Sequence, residues 1–232
     1  MRKNAIAGVD RRQFLQAAVA GVVAGLVAPS APCLAGARAL SARRALTPDE
    51  ALQQLLAGNA RFAASRMTAK DQDLALLRKR TAEKQEPFAA VLACADSRVP
   101  VELVFDQSIG QIFVARVAGN IVTPEIMASL EYAVAALGVR AILVLGHSNC
   151  GAVKAAMETE VVPGQISALY SHIRPAVDQS AGNVGRTIET NARIQAELLR
   201  RSSTVIRQAT AAHTIGVTAG VYDLATGKVT VC

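Results

Sequence analysis

Two short loops hold most of the residues able to do chemistry. Cys94-Ala95-Asp96-Ser97-Arg98 follows one apolar run, and Gly146-His147-Ser148-Asn149-Cys150-Gly151 follows another. Two thiolates and an imidazole form a donor set suited to zinc. Three strong ligands are one short of a closed structural site, so the fourth position falls to water or to Asp96. Three protein ligands with one open position is the pattern of catalytic zinc. Cys94, His147 and Cys150 are therefore the expected metal ligands, with one Zn²⁺ per subunit. His147 and Cys150, three apart, are expected to reach the ion together from the start of a helix. Two thiolates neutralise the ion's charge, so its water should ionise at a higher pH than at a three-histidine site, where it titrates near ~7. Activity should then rise with pH.

Asp96 and Arg98 are two apart and can fold back on each other. The guanidinium offers a bidentate fork for a carboxylate, which would hold Asp96 ionised and aimed at the metal-bound water. If Arg98 released it, Asp96 could ligate the metal and close the site. This pair is the expected catalytic dyad. Taken singly, each residue has an ordinary explanation, such as a small buried thiol or a loop ion pair; the combination points to a metal. His172 and His213 read as surface histidines, Cys232 as a free thiol, and Arg78-Lys79-Arg80 as a solvated helix face.

The two loops must be brought together by the elements before them. Phe88–Cys94, Gln111–Arg116 and Ala141–Leu145 are short apolar runs that read as buried strands. Helical patterning covers Thr47 onward, with Thr47 and Glu50 set as a capping box, Pro48 at the first position, and a break expected at Gly58-Asn59. It resumes over Asp71–Lys84, Pro124–Leu137, Gly151–Met157, Ile166–Val177 and Val184–Arg201. Thr214–Val231 reads as strand–turn–strand, turning at Ala225–Lys228. Strands alternating with helices predict an α/β fold: a mainly parallel central sheet flanked by helices, with an antiparallel edge strand and an N-terminal helical arm. Ligands of such sheets bind outside the carboxyl ends of the strands, where both loops lie.

Composition narrows the field. In 232 residues, hydrophobic types make up 51% and charged types 19%, which excludes a disordered chain. Aromatics are 3% with no Trp, too few for base stacking, and the net charge of +7 falls to +4 once positions 1–37 are set aside. No nucleic-acid partner is expected.

Those first positions read as an export leader rather than fold. Arg2, Lys3, Arg11 and Arg12 precede a mild apolar run at Ala17–Ala28, then Pro29, Pro32 and the small residues Ala35-Gly36-Ala37. Arg11-Arg12-Gln13-Phe14-Leu15 has the form of a twin-arginine signal. Residues 1–37 are thus a signal peptide, cleaved after Ala37 or alternatively Ala39, leaving a domain over 38–232. The twin-arginine export machinery is the implied partner, and the location is periplasmic or extracellular. An uncleaved leader acting as a membrane anchor is the alternative, though its apolar stretch is short of the ~20 residues that span a bilayer.

The loops and their surroundings resemble a known family. Ala93–Pro100, Phe105-Asp106-Gln107, Phe113–Asn120, Ser129–Ala133 and Leu145–Ala152 are similar, in order, to blocks of the β-class carbonic anhydrases, over roughly residues 47–232. The resemblance implies Cys94, His147 and Cys150 as zinc ligands and Asp96 and Arg98 as the orienting dyad. It implies reversible hydration of CO₂ to bicarbonate and a proton by zinc-bound hydroxide. It also implies a homodimer or multiple of dimers, with Thr47–Ala63 as an arm across the partner, and Gly119-Asn120 beside the site. After Asn120 the chain runs Ile121-Val122-Thr123-Pro124-Glu125, so no secondary bicarbonate site carries over residue by residue. Hydrolysis of COS or CS₂ on the same zinc, or a non-catalytic zinc-binding module, are the alternatives. An intact Asp96–Arg98 pair argues against the second.

Overall fold

The computed structural model describes residues 46–69, 72–158 and 162–232. The leader expected at 1–37, and Asp71 at the start of the charged helical segment, lie outside the described residues. Among the described residues no helix is long and apolar enough to cross a membrane.

Five strands form one sheet in the order β2-β1-β3-β4-β5. They are β1 (Ala89–Ala93), β2 (Ile112–Arg116), β3 (Ala141–His147), β4 (Gly216–Tyr222) and β5 (Val229–Val231). The first four run parallel, and β5 returns antiparallel along β4. The α/β expectation is met, down to the antiparallel edge. Every residue of β1 and β3 is buried, as an apolar strand covered on both faces must be.

Alternate residues of the strands build the two cores. Ala90 and Leu92 of β1 and Ile142 and Val144 of β3 pack under α4 (Pro124–Ala135), α7 (Val184–Ser202) and α8 (Thr204–Ala211). Val91, Ala93, Leu143 and Leu145 face α1 (Pro48–Ala63) and α3 (Val101–Val104). Three further helices complete the described residues: α2 (Leu74–Thr81), α5 (Gly151–Glu158) and α6 (Tyr170–Asp178), the last entered through a 3₁₀ turn at Ile166–Leu169.

The capping box at Thr47 and Glu50 is present, its bonds 3.2 and 2.7 Å long. The break expected at Gly58-Asn59 is not; α1 runs through both. A Cβ on Gly58 would fall 1.8 Å from the Phe105 carbonyl oxygen, so this glycine serves a close approach of helix to chain, not a kink. Asn59 is buried and spends its amide on Val104 and Gly227 carbonyls and the Val229 N–H, at 3.1, 2.9 and 2.8 Å. Its bonds tie α1 to this chain's own α3 and β5.

The helix expected over Asp71–Lys84 is shorter, because Asp73 caps α2 by accepting from the Ala75 and Leu76 N–H groups. Sequence patterning assigns nothing to 202–213, where α8 follows α7 after the single residue Ser203. Ser203 caps α8 through the Ile206 N–H and donates to Glu131 of α4, a stop-and-restart that helical periodicity alone does not display.

Asp106 closes the lower side of the fold. Its side chain is fully buried and accepts from Thr68 N–H and Oγ1, from Ala69 N–H at 2.8 Å and from the Arg61 guanidinium. Burial raises its pKa; the Ala69 and Thr68 bonds and Arg61 outweigh that and hold it down to about 2. A carboxyl depressed in the fold stabilises above its unfolded pKa and loses that contribution as pH falls through the folded one. Asp106 should therefore contribute about 2 kcal/mol at neutral pH, lost between about pH 4 and pH 2. Urea unfolding of Asp106→Asn at pH 7 should show a loss of roughly 3 kcal/mol, with a smaller gap from the parent at pH 3. Equal stability of the two proteins at pH 7 would contradict this.

Candidate metal centre

Strands β1 and β3 are hydrogen-bonded neighbours, with Ala93 opposite Leu145. That register delivers Cys94 and His147 to the same end of the sheet. His147 is the last residue of β3, where the sequence ends the strand at Leu145 and puts His147 in the loop that leads into the helix, because the β3–β4 ladder continues until His147 faces Tyr222. Asn149 then takes a left-handed conformation, φ 59°, and turns the chain so that Cys150 stands just before α5. The tight turn brings the two ligands together without a helix between them.

The Cys94 and Cys150 sulfurs and a His147 ring nitrogen all lie within 4.8 Å of one another, and all three residues are buried. Ligand atoms of a tetrahedral zinc site with thiolates stand roughly 3.8 Å apart, so the grouping needs little contraction. His147 Nδ1 lies 3.0 Å from the Ser148 carbonyl oxygen, to which it donates. That leaves Nε2 as the lone-pair nitrogen, and Nε2 is buried with no hydrogen-bond partner. A polar atom in that state is costly unless something binds it. An imidazole fixed through its far nitrogen is the usual setting of a metal-bound histidine. The residues fit zinc.

The neighbouring Cys150 thiol lowers the pKa of Cys94, burial opposes this, and the Gly119 N–H adds to the lowering. Cys150 is pushed up by its neighbour Cys94 and by burial. A divalent cation would bind both sulfurs as thiolates, displacing whatever proton they carry. Ile121, Val153, Ile173 and Ile188 pack around these thiols, keeping water from them on the protein side.

Asp96 and Arg98 pair as their spacing predicts. Arg98 Nε reaches Oδ1 at 2.9 Å and Nη2 reaches Oδ2 at 2.8 Å, while the Arg98 N–H also donates to Oδ1. The Arg98 guanidinium, against a smaller effect of burial, holds the Asp96 carboxyl well below the usual carboxylate range. Its Oδ2 stands 3.8 Å from His147 Nε2, beside the ligand set, and Arg98 Nη2 also reaches the Asn149 carbonyl at 3.4 Å. The structure thus brings all five residues singled out in sequence to one place, with Arg98 holding Asp96.

Three further groups hold the loops. Arg116, the last residue of β2, donates to the Cys94 carbonyl at 3.0 Å and the Asp96 carbonyl at 2.6 Å. Gly119 N–H donates to the Cys94 sulfur at 3.3 Å, placing Gly119 beside the site as the family blocks imply. Ser148 is fastened at both ends, its N–H to the Tyr222 carbonyl and its hydroxyl to the Leu224 N–H. No role for Arg116 is evident from its spacing in sequence; its position at the carboxyl end of a strand beside β1 is the signal that finds it. The remaining histidines, His172 and His213, are not part of this group, and Cys232 is a free, half-buried thiol.

A sequence profile described as "Carbonic anhydrase" matches residues 89–229. A carbonic anhydrase of Mycolicibacterium smegmatis is 38% identical over 191 residues, covering 78% of this chain and 92% of that protein. Carbonic anhydrase 2 of Mycobacterium tuberculosis is 40% identical over 137 residues, 59% of this chain and 64% of that one. Among solved structures, the Coccomyxa β-carbonic anhydrase in complex with acetazolamide is 31% identical with a TM-score of 0.61, covering 78% of this chain and 85% of that one. One of two tetrameric β-carbonic anhydrases from Sordaria macrospora is 25% identical with a TM-score of 0.65, over 78% and 95%.

If the three grouped residues are the ligands, Cys94→Ser or Cys150→Ser should drop the zinc content from about one per chain toward zero. The far-ultraviolet circular dichroism should stay that of the parent. Metal analysis on the purified proteins decides; full zinc in both variants would exclude the assignment.

Proposed function

The chain belongs to the β-class carbonic anhydrases, and from that premise we propose how its residues carry the reversible hydration of CO₂. The observation that carries the proposal is the joint placement of Cys94, His147 and Cys150 with the Asp96–Arg98 pair at one sheet end. Cys94, His147 and Cys150 hold the zinc. Zinc, when bound, supplies the charge that lets a water molecule give up its proton far more readily than in bulk water.

The chain's own residues do the rest. Asp96 is ionised and has only acceptor atoms, so it can take a hydrogen bond from the attacking oxygen and turn that oxygen's lone pair toward CO₂. Arg98 keeps both carboxylate oxygens in register by its two-pronged bond. Arg116 fixes the backbone on either side of Ala95, so the Asp96 main chain cannot shift without breaking those bonds. His147, with Nδ1 spent on a carbonyl, keeps Nε2 free to bind. The apolar shell behind the thiolates excludes water and strengthens each of these attractions. Were Arg98 to release Asp96, the carboxylate stands near enough to Nε2 to enter the ligand set itself.

We further propose that residues 1–37 form a twin-arginine signal peptide, leaving a mature enzyme of 38–232 outside the cytoplasm. Its support is the Arg11-Arg12 motif ahead of an Ala- and Gly-rich run. Folding before export would let zinc enter where thiols stay reduced, and ligation would then protect Cys94 and Cys150 from oxidation. A homodimer or multiple of dimers is the assembly proposed; the tetrameric relatives from Sordaria macrospora support it.

Stopped-flow CO₂ hydration on the zinc-loaded mature chain should show turnover, with kcat reduced roughly 10²-fold in Asp96→Asn at unchanged zinc content. Turnover of COS but not CO₂ would overturn the substrate, and a full rate in Asp96→Asn would overturn the role of the carboxylate. In cell fractionation, the parent should appear outside the cytoplasm and an Arg11→Lys, Arg12→Lys double variant should be retained inside. Identical distribution of the two would rule out the twin-arginine route.

A further inference from the structure

The Gly119 N–H that touches the Cys94 sulfur belongs to a turn with a left-handed backbone, φ 75° at Gly119 and 45° at Asn120. A Cβ on Gly119 would meet Ile173 Cδ1 at 2.9 Å, so the turn is tightly fitted. Two side chains of α7 grip it. Asn191 Nδ2 donates to the Gly119 carbonyl at 2.9 Å, and Gln195 Oε1 accepts from the Val122 N–H at 2.8 Å. Gln195 Nε2 then donates to the His172 carbonyl of α6 at 3.1 Å and to Asn191 Oδ1 at 3.2 Å, so the two amides brace each other one helical turn apart.

Both amides are buried, in a helix face otherwise made of Thr187, Ile188, Ala192, Ala196 and Leu199. Apolar side chains would cover that face without the desolvation cost of two amides. The same helix lies close against β3 just before the histidine ligand, since a Cβ on Gly146 would meet Ile188 Cγ2 at 3.2 Å. The helix therefore packs against the strand that ends in His147 and bonds through side chains to the turn whose Gly119 N–H touches Cys94.

We propose that Asn191 and Gln195 are positioning residues for the metal centre, clamping the head and tail of the 119–122 turn so that the Gly119 N–H stays on the Cys94 sulfur. The clamp rests on the reading of Cys94 as a zinc ligand. An N–H bond to a ligating sulfur fixes the direction of its remaining lone pair and takes up part of its charge. Partners of this kind, one bond removed from the metal, are typically worth 10–100-fold in metal affinity or activity.

Asn191→Asp keeps shape and burial but replaces the donor to the Gly119 carbonyl with an acceptor. Gln195→Glu keeps the acceptor for Val122 and loses the donor to His172 and Asn191, and it serves if Asn191→Asp does not fold. Asn59→Asp is the control, an equally buried amide with three backbone bonds on the opposite side of the sheet. The readouts are zinc affinity by chelator competition and the sulfur-to-metal charge-transfer band of the Co²⁺-substituted protein. Asn191→Asp, and Gln195→Glu in the same direction, should weaken zinc binding roughly 10–100-fold and move the band. Asn59→Asp should lower the Tm while leaving affinity and band at the parent's values. Parent-like affinity and band in both α7 variants, with the parent itself binding zinc, would overturn the clamp alone. A parent that binds no zinc would overturn the metal centre and the clamp with it.

Discussion

Two buried sulfurs set beside one buried imidazole nitrogen are the constraint around which this protein is built. Charge in an apolar pocket is expensive, and here Ile121, Val153, Ile173 and Ile188 make the pocket apolar. The Gly119 N–H meets the Cys94 sulfur there, and the His147 Nε2 lone pair faces the same space. A divalent cation is the natural occupant: it matches the charge of two thiolates and takes the lone pair left idle on His147 Nε2. The sheet exists, in this sense, to bring those atoms together. Parallel neighbours β1 and β3 end at the same side, and their register sets Cys94 against the His147–Cys150 turn.

Around that centre, backbone is held by side chains at almost every point where it leaves regular structure. Arg116 pins the Cys94 and Asp96 carbonyls, Ser148 ties its loop to the end of β4, and Asn191 with Gln195 secures the turn beyond β2. Loops at the carboxyl ends of strands carry chemistry but lack ladder bonds of their own, so rigidity must be supplied by neighbours. Asp96 benefits most. Its carboxylate is fixed by the Arg98 fork from one side and by its own pinned backbone from the other. Both restraints keep an ionised acceptor beside the ligands without making it one of them.

Much of this is legible in sequence, for identifiable reasons. Cys94 and His147 come directly after fully apolar runs, and such runs in an α/β pattern deliver the next residues to the ligand-binding end of the sheet. Asp96 and Arg98 are close enough in sequence that their bond needs no knowledge of tertiary structure. Contacts across long stretches of chain are not legible. Arg116 meets Cys94 through the β1–β2 register, and Asn191 meets Gly119 only because α7 lies across the sheet. Gly58 misleads for a related reason: a glycine in a helical pattern signals a break locally, whereas here it admits the Phe105 carbonyl. The restart of helix at Thr204 after Ser203 likewise depends on a hydroxyl that finds Glu131 of another helix.

The central claim is that one zinc sits on two thiolates and one imidazole, with its fourth position left to a light atom. X-ray absorption at the zinc edge, on the full chain as purified, tests it most directly. The expected first shell has two sulfurs at about 2.3 Å, with one imidazole nitrogen and one further light atom at about 2.0–2.2 Å. A four-sulfur shell, or a shell with no sulfur, would contradict it.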